Sequence, residues 1–402
     1  MSWVSLNEIS KSINYGLTAS ATDEVTGFKF LRITDIANGI VDYESVPNVW
    51  VDSKDVHKYL LQHGDIVVAR TGASTGANSY FMGPENVLFA SYLVRFRIKP
   101  TVDSRFVSYV LKTNRWDDFI YANAFAKSAQ PNLSASSMAE FEFELPALSE
   151  QRAIADVLGA LDDKIVANQR TLAIQSDLIQ SLVLRASRGQ CPTKLSDVAN
   201  SITRGVAPKY SEKGALVLNQ KCIREKVVSL DEARRLSNLP ANESKLVETS
   251  DVLVNSTGVG TLGRAARWTL PIVDVTVDSH VTIVKFDRNA VDPDFAGAVL
   301  VSMENRIEDL AEGSTGQTEL RRHLLGTIPL PLPEITVQRQ NGAVIRDLDA
   351  MANGLIRETQ ALVNTRDELL PLLMNGKITV AEANEEIEAR GVDKHAEGAD
   401  DV

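Results

Sequence analysis

Two cysteines, Cys191 and Cys222, are too few in 402 residues for a disulfide framework or a zinc knuckle of their own. No apolar run approaches the ~20 residues that cross a bilayer, and residues 1–10 lack the cationic start and apolar stretch of a signal peptide. These absences point to the cytoplasm, with no membrane and no structural metal. Catalytic equipment is equally scarce. The five histidines, His57, His63, His280, His323 and His395, have no HExxH or other ligand spacing. No GxSxG elbow offers a serine nucleophile, and no Asn/Asp-Pro-Pro-aromatic signature of methyl transfer occurs. The loop Gly258-Val259-Gly260-Thr261-Leu262-Gly263-Arg264-Ala265 mimics a phosphate-cradling loop. Arg264, however, replaces its lysine, and Ala265 removes the hydroxyl that would hold magnesium. The adjacent acids Asp162 and Asp163 point different ways from a helix and read as solvated or docking charge. No cofactor is expected; the chain reads as one that binds.

Basic residues are also outnumbered, 42 against 53, for a net charge of −11. The deficit is uneven: −3 over residues 1–148, 0 over 149–190, −2 over 191–335 and −6 over 336–402. Local clusters decide contact with nucleic acid, so this balance permits a DNA reader without indicating one.

What the chain does have is a repeat. Val102-Asp103-x-x-Phe106-x-x-x-Val110-Leu111 recurs as Val291-Asp292-x-x-Phe295-x-x-x-Val299-Leu300, and Leu6-Asn7-Glu8-Ile9 is echoed by Leu195-Ser196-Asp197-Val198, both at an offset of 189. Asp65-Ile66-Val67-Val68 with Thr71-Gly72 matches Asp251-Val252-Leu253-Val254 with Thr257-Gly258 at 186. Pro146 with Gln151-Arg152 matches Pro333 with Gln338-Arg339 at 187. Four pairs in one order describe a duplicated unit with small loop insertions.

Each copy begins with a mixed domain. Tyr92–Ile98 alternates, with Val94, Phe96 and Ile98 opposite Arg95 and Arg97, and predicts a half-buried strand; residues 281–286 are its counterpart. Short helices are expected at Phe106–Phe119 and Phe295–Leu310, with Gly, Ser, Thr and Asn filling loops 70–79 and 255–264. Each copy ends in a long helix, with Ser149 and Thr336 standing where an N-cap hydroxyl would. In the first, Leu158, Leu161, Ile165, Asn168, Leu172, Gln175, Ile179 and Leu182 alternate three and four apart, an a/d seam with two polar interruptions. The second has Ile345, Leu348, Ala352, Leu355, Thr359, Leu362, Arg366 and Leu369. Two matching seams in one chain predict an antiparallel intramolecular pair. The expected fold class is α+β, two mixed α/β domains joined by two long antiparallel coiled-coil helices with an internal pseudo-two-fold repeat. The expected boundaries are 1–147, 148–190, 191–334 and 335–378, with an acidic tail at 379–402 read as a solvated extension or weak helix.

Leu145-Pro146-Ala147-Leu148-Ser149-Glu150-Gln151-Arg152-Ala153-Ile154-Ala155 and Leu158-Gly159-Ala160-Leu161-Asp162-Asp163-Lys164-Ile165 resemble the central conserved region of Type I restriction-modification specificity subunits. Pro331–Arg339 is a more diverged copy, and Leu369–Ile378 resembles the close of the second conserved helix. The resemblance covers about residues 1–378 and implies two target-recognition domains, each reading half of a split, asymmetric site on double-stranded DNA. It also implies that the helices act as spacer and dock two modification (methyltransferase) subunits, and through them the restriction (ATP-dependent translocase/nuclease) subunits. Catalysis would belong to those partners.

Base edges are matched chiefly by Arg, Lys, Asn and Gln, and phosphates by these and hydroxyls. The candidates are Arg70, Thr71, Ser74, Asn78, Ser91, Lys127, Gln130 and Asn132 in the first domain. In the second they are Lys221, Asn255, Ser256, Thr257, Arg264, Ser279, His280, Gln317, Arg321 and Arg322. Many such residues on any domain are simply solvated loop side chains. Gln130 and Gln317 recur in both copies, which suits structural contact; residues that differ between copies suit sequence reading. Three other functions fit parts of the pattern: a coiled-coil scaffold with two protein-binding heads, a small ATPase using loop 258–265, or a specificity chain of a methylation-only system.

Overall fold

The computed structural model describes residues 2–37, 41–52, 54, 56–126, 131–312 and 318–391. The chain divides into two units, Met1–Ala167 with Glu358–Val402, and Asn168–Arg357. Their central sheets have the same plan. In the first, Ser10–Tyr15, Leu93–Ile98, Ile66–Ala69 and Asn78–Tyr80 lie side by side in that order, every pair antiparallel. In the second, Ala199–Arg204, Val281–Phe286, Val252–Asn255 and Ala265–Arg267 repeat it. Each unit adds a smaller sheet containing one parallel pair, Lys29–Leu31 beside Val87–Phe89 and Ala215–Leu218 beside Val275–Val277.

The repeated sequence motifs turn out to be the joints of this plan. Asp103 and Asp292 cap the helices Ser104–Val110 and Pro293–Val301, accepting from the N–H groups of Phe106 (2.8 Å) and Phe295 (3.0 Å), whose rings are buried. Asp65 and Asp251 are buried and accept from the N–H three residues earlier, of Gln62 (2.9 Å) and Glu248 (2.7 Å). Gln151 and Gln338, both buried, do the most. The Gln151 side chain donates to the Pro146 carbonyl (2.8 Å) and accepts from the Asp103 N–H (2.9 Å). Gln338 donates to Pro333 (2.7 Å) and accepts from Asp292 (3.2 Å). One amide therefore ties the foot of each long helix to the cap of its own domain's helix.

Three local expectations change. The strand Leu93–Ile98 is covered on both faces rather than half-buried, because Arg97 makes two 2.7 Å bonds to Asp65 and Arg95 donates to the Leu60 carbonyl and to Asn14, both at 2.9 Å. Its counterpart Val281–Phe286 is buried throughout, with Lys285 3.1 Å from Asp251. The long helices begin at Leu148 and Ile335, so Ser149 and Thr336 lie inside them. The backbone carbonyls of Ala147 and Glu334 instead accept the first helical bonds, from Gln151 (3.0 Å) and Gln338 (3.1 Å). Each short helix is broken in two, Ser104–Val110 then Asn114–Ile120, and Pro293–Val301 then Glu304–Glu308.

The long helices run over Leu148–Ser187 and Ile335–Met374. Within the first unit Leu158, Leu161 and Ile165 share a core with Leu362, Leu369 and Leu373, each buried aliphatic contributing about 1.5–3 kcal/mol over an exposed one. Direction follows from the ion pairs: Asp162 meets Arg366 at 2.8 Å, whereas Lys164, further along, meets Glu358 at 3.7 Å. Rising numbers on one helix meet falling numbers on the other, so the pair is antiparallel. In the second unit Val183 shares a core with Ile345.

Asp162 is not solvated charge. It accepts from the Tyr109 hydroxyl at 2.7 Å and from Arg366, while Asp163 holds Arg105 at 2.6 Å. Burial by itself would raise the Asp162 carboxyl, but the Lys112 and Arg366 cations outweigh it and hold the group below the usual carboxylate range. The acidic tail is likewise structured in part: Val380–Ala389 is a helix capped reciprocally by Thr379 and Glu382, with Ala383 and Ile387 buried in the first unit's core. Arg390 bridges to Glu368 at 2.7 Å.

Two outcomes follow. Gln338→Ala leaves two buried backbone groups without partners, at about 1–3 kcal/mol each, and denaturant unfolding should register that loss; a variant within about 0.5 kcal/mol of the parent would refute the clamp. The lowered Asp162 carboxyl gives stability that is present above the unfolded carboxylate value and lost as pH falls through the folded one. Asp162→Asn should be less stable at neutral pH and show a flatter acid limb, and parallel pH profiles would contradict this.

Candidate nucleic-acid interface

In each central sheet the first strand ends, the second begins and the third ends at one edge, so three connections converge there. In the first unit these bring together Tyr15, Ser91 with Tyr92, and the turn after Ala69. The Arg70 guanidinium lies 4.7 Å from the Tyr15 ring centre and donates to the Asn132 side-chain oxygen at 3.0 Å. Thr71 and Asn132 form an isolated antiparallel bridge, extended by Gly72 N–H to the Pro131 carbonyl (3.0 Å) and Leu133 N–H to that of Arg70 (2.9 Å). The Tyr15 hydroxyl accepts from the Ala135 N–H at 2.8 Å. Gly72 (φ 77°) and Gly76 (φ 95°) shape the turn, and Thr75 closes it onto the Gly72 carbonyl at 2.7 Å. Arg70, Thr71, Ser74, Ser91 and Asn132 are therefore neighbours at this edge, all at least partly exposed. Asn78 is not among them: it is buried in its strand and donates to the Leu111 carbonyl at 2.5 Å. Lys127 and Gln130 lie outside the described residues.

The second unit builds the same frame with other side chains. Thr257 and Glu319 form the corresponding isolated bridge, and Leu320 N–H bonds the Ser256 carbonyl at 2.8 Å. Here the cation comes from the first strand: Arg204, matching Tyr15 at offset 189, donates to Glu319 (2.6 Å) and to the Leu320 carbonyl (2.8 Å). Thr257 shares a 2.7 Å hydrogen bond with the exposed His280 ring. Beneath the turn, His280 N–H donates to Asp278 at 2.8 Å, and burial pushes that carboxyl above its ordinary value. Thr257, Arg264, Ser279 and His280 reach the surface at least in part, as do Arg321, held 3.1 Å from Glu312, and Arg322 at the start of Arg322–Leu325. Asn255 and Ser256 are fully buried, bonded to the Gln220 carbonyl (2.9 Å) and the Thr282 hydroxyl (2.6 Å), so their side chains build the frame. Lys221 is exposed beside Glu232 at 3.8 Å, and Gln317 lies outside the described residues.

Tyr15, Arg204 and Glu319 are not among the residues expected from sequence. The repeat itself could have found them, since Arg204 stands opposite Tyr15 at offset 189 and Glu319 opposite Asn132 at 187. These edges offer guanidinium, amide, carboxylate, hydroxyl and imidazole groups on rigid turns, a set suited to hydrogen-bonding recognition. Among the described residues no group of three or more His, Cys, Asp and Glu could hold a metal ion, and no helix is long and apolar enough to cross a membrane.

Comparison with known proteins bears on what these edges meet. Residues 2–175 match the family described as the Type I restriction modification DNA specificity domain. Over residues 2–175 the chain is similar to a Type I DNA specificity domain. Over 411 aligned residues it is 22% identical to a protein assigned as the MjaX type I restriction enzyme specificity subunit of Methanocaldococcus jannaschii, covering 93% of each chain. It is 25% identical over 169 residues to the StySPI specificity subunit of Salmonella potsdam, covering 40% of this chain and 36% of that one. The fold matches the crystal structure of a Type I restriction-modification S subunit from M. genitalium with a TM-score of 0.61 at 18% identity, over 93% of this chain and 96% of that one. The α+β architecture with long helices is thus a fold shared with that structure.

The glycines of the first unit's turn give a stability test. A Cβ on Gly76 would come within 2.8 Å of the Ile120 side chain, whereas one on Gly72 meets nothing within 4 Å. Both have positive φ, worth about 1–2 kcal/mol against alanine, so Gly72→Ala should lose that amount and Gly76→Ala clearly more. Equal losses in thermal unfolding would contradict the packing described.

Proposed function

We propose that the chain is the non-catalytic DNA-recognition subunit of a Type I restriction-modification complex, and that its two repeats read the two halves of a split, asymmetric site. Residues 1–147 and 191–334 would be the readers, 148–190 and 335–378 the spacer helices. The observation that carries this is the pair of equivalent sheet edges built on one backbone frame but furnished differently: Tyr15, Arg70 and Asn132 in one, Arg204, His280 and Glu319 in the other. A shared frame positions; differing side chains discriminate. Arginine suits guanine, asparagine adenine and glutamate cytosine in the major groove, so the two edges call for different base sequences.

Modification subunits would dock on the long helices. Ile174, Leu178 and Leu184 on the first, and Val344, Met351 and Ile356 on the second, are exposed apolar side chains on otherwise polar faces, which supports a protein partner there. Methyl transfer, ATP hydrolysis and cleavage belong to such partners in this reading.

The test is methylation mapping of DNA from cells that hold this chain together with its modification subunits. A bipartite asymmetric methylated site is expected, and Arg204→Gln should relax or abolish recognition in one half while leaving the other unchanged. Calorimetry of the isolated chain should find no one-to-one micromolar binding of S-adenosylmethionine or ATP. Either such binding, or a continuous methylated site, would refute the reading.

A further inference from the structure

The smaller sheets of the two units share a topology but not a charge. Residues 16–60 hold four lysines and arginines against seven acids, whereas residues 203–247, the same span at offset 187, hold nine against five. Lys209, Arg224, Lys226 and Arg234 of that second set are exposed, and the Arg234 guanidinium stacks 4.7 Å from the exposed Tyr210 ring. In a chain of net charge −11, this span is locally basic.

Within this span lies a short hairpin. Ile223–Arg224 pairs with Val227–Val228, and the chain turns through Glu225 (φ 52°) and Lys226 (φ 63°). Two successive left-handed residues make a turn that favours Asn-Gly, because a Cβ is disfavoured there. The sequence of the first repeat has Asn-Gly at these positions: Ile36-Ala37-Asn38-Gly39-Ile40-Val41 aligns with Ile223-Arg224-Glu225-Lys226-Val227-Val228. The second repeat therefore keeps charged side chains in a conformation for which its other copy has the comfortable residues. Strain of this kind gathers at binding sites.

The hairpin is also well rooted. Cys222 and Ile223 are fully buried, and the Gln220 carbonyl just before them accepts from Asn255 at 2.9 Å, at the edge that carries Thr257 and His280. Among the described residues Arg224 pairs with its neighbour Glu225, 3.4 Å away, and both side chains are largely exposed, so that pair is weak.

We propose that the hairpin Ile223–Val228 is a contact to the phosphate backbone of double-stranded DNA, with Arg224 and Lys226 as its cations, and that the first unit has no equivalent. This rests on the DNA-recognition reading. It makes the salt-dependent part of binding lopsided: the second unit grips the backbone and the first relies on its sheet edge.

The test is a salt titration of the complex with modification subunits on a mixed-sequence DNA duplex. One variant, Arg224→Ala with Glu225→Asn and Lys226→Gly, installs a relaxed turn; a second, Arg224→Gln with Lys226→Gln, keeps the backbone. Each lost phosphate contact flattens the slope of log K against log salt by about 0.9, so both variants should flatten it by close to 2. The first should do so although it also removes an acid, and with a melting midpoint equal to or above the parent's. Lys54→Gln with Lys58→Gln in the first unit should leave the slope unchanged. An unaltered slope in the Gln pair overturns the phosphate assignment, even if the turn variant weakens binding. A parent complex that binds no DNA overturns the functional reading itself, and the hairpin with it.

Discussion

A buried side-chain amide at the foot of each long helix holds the architecture together. Gln151 and Gln338 each bond a helix-foot carbonyl and the N–H of the aspartate that caps the neighbouring domain helix. Enclosed polar groups must be paired, so the amide leaves its domain one register on the helix. Without that joint, a mixed domain on a long helix would be a head on a hinge. With it, the sheet edge within each unit has a fixed bearing on the helix that follows it in sequence.

Around the joints the two units keep one backbone frame and vary its charges. Arg105 of the first reaches Asp163 and the Gly159 carbonyl on the adjoining helix. At the matching place in the second unit the signs are reversed, with Asp294 on the domain and Arg346 on the helix, 2.6 Å apart. At offset 187 Arg346 stands opposite Gly159 and Asp163 opposite Ala350, so the two ion pairs lie about one helical turn apart on equivalent helices. The sheet edges follow the same rule: the cation sits on the third strand's end in one unit, as Arg70, and on the first strand's end in the other, as Arg204. Duplication supplied the scaffold, and divergence of exposed side chains supplies two different surfaces.

Much of this was legible in the sequence because repeats mark joints. Three of the four matched motifs are a helix cap, a buried aspartate turn and the glutamine clamp, all fixed by backbone hydrogen bonds that only certain residues can make. The a/d seam was legible for the same reason, since buried positions leave a period. The remainder depended on contacts remote in sequence. Alternation at residues 92–98 could not reveal that Asp65 would cover Arg95 and Arg97 and bury both faces. Composition could not separate Asn78 and Asn255, which serve the frame, from Asn132, which faces outward. The acidity of the tail concealed Ala383 and Ile387, four apart and enough to seat a helix.

The central claim is that two rigidly mounted edges meet DNA independently. Replacing residues 1–147, with Asp103 and Arg105 retained, by the corresponding domain of another specificity subunit and mapping methylation tests it most directly. The account predicts that one half-site changes while the other half-site and the spacing between them stay the same. A replacement that altered both halves, or the spacing, would contradict it.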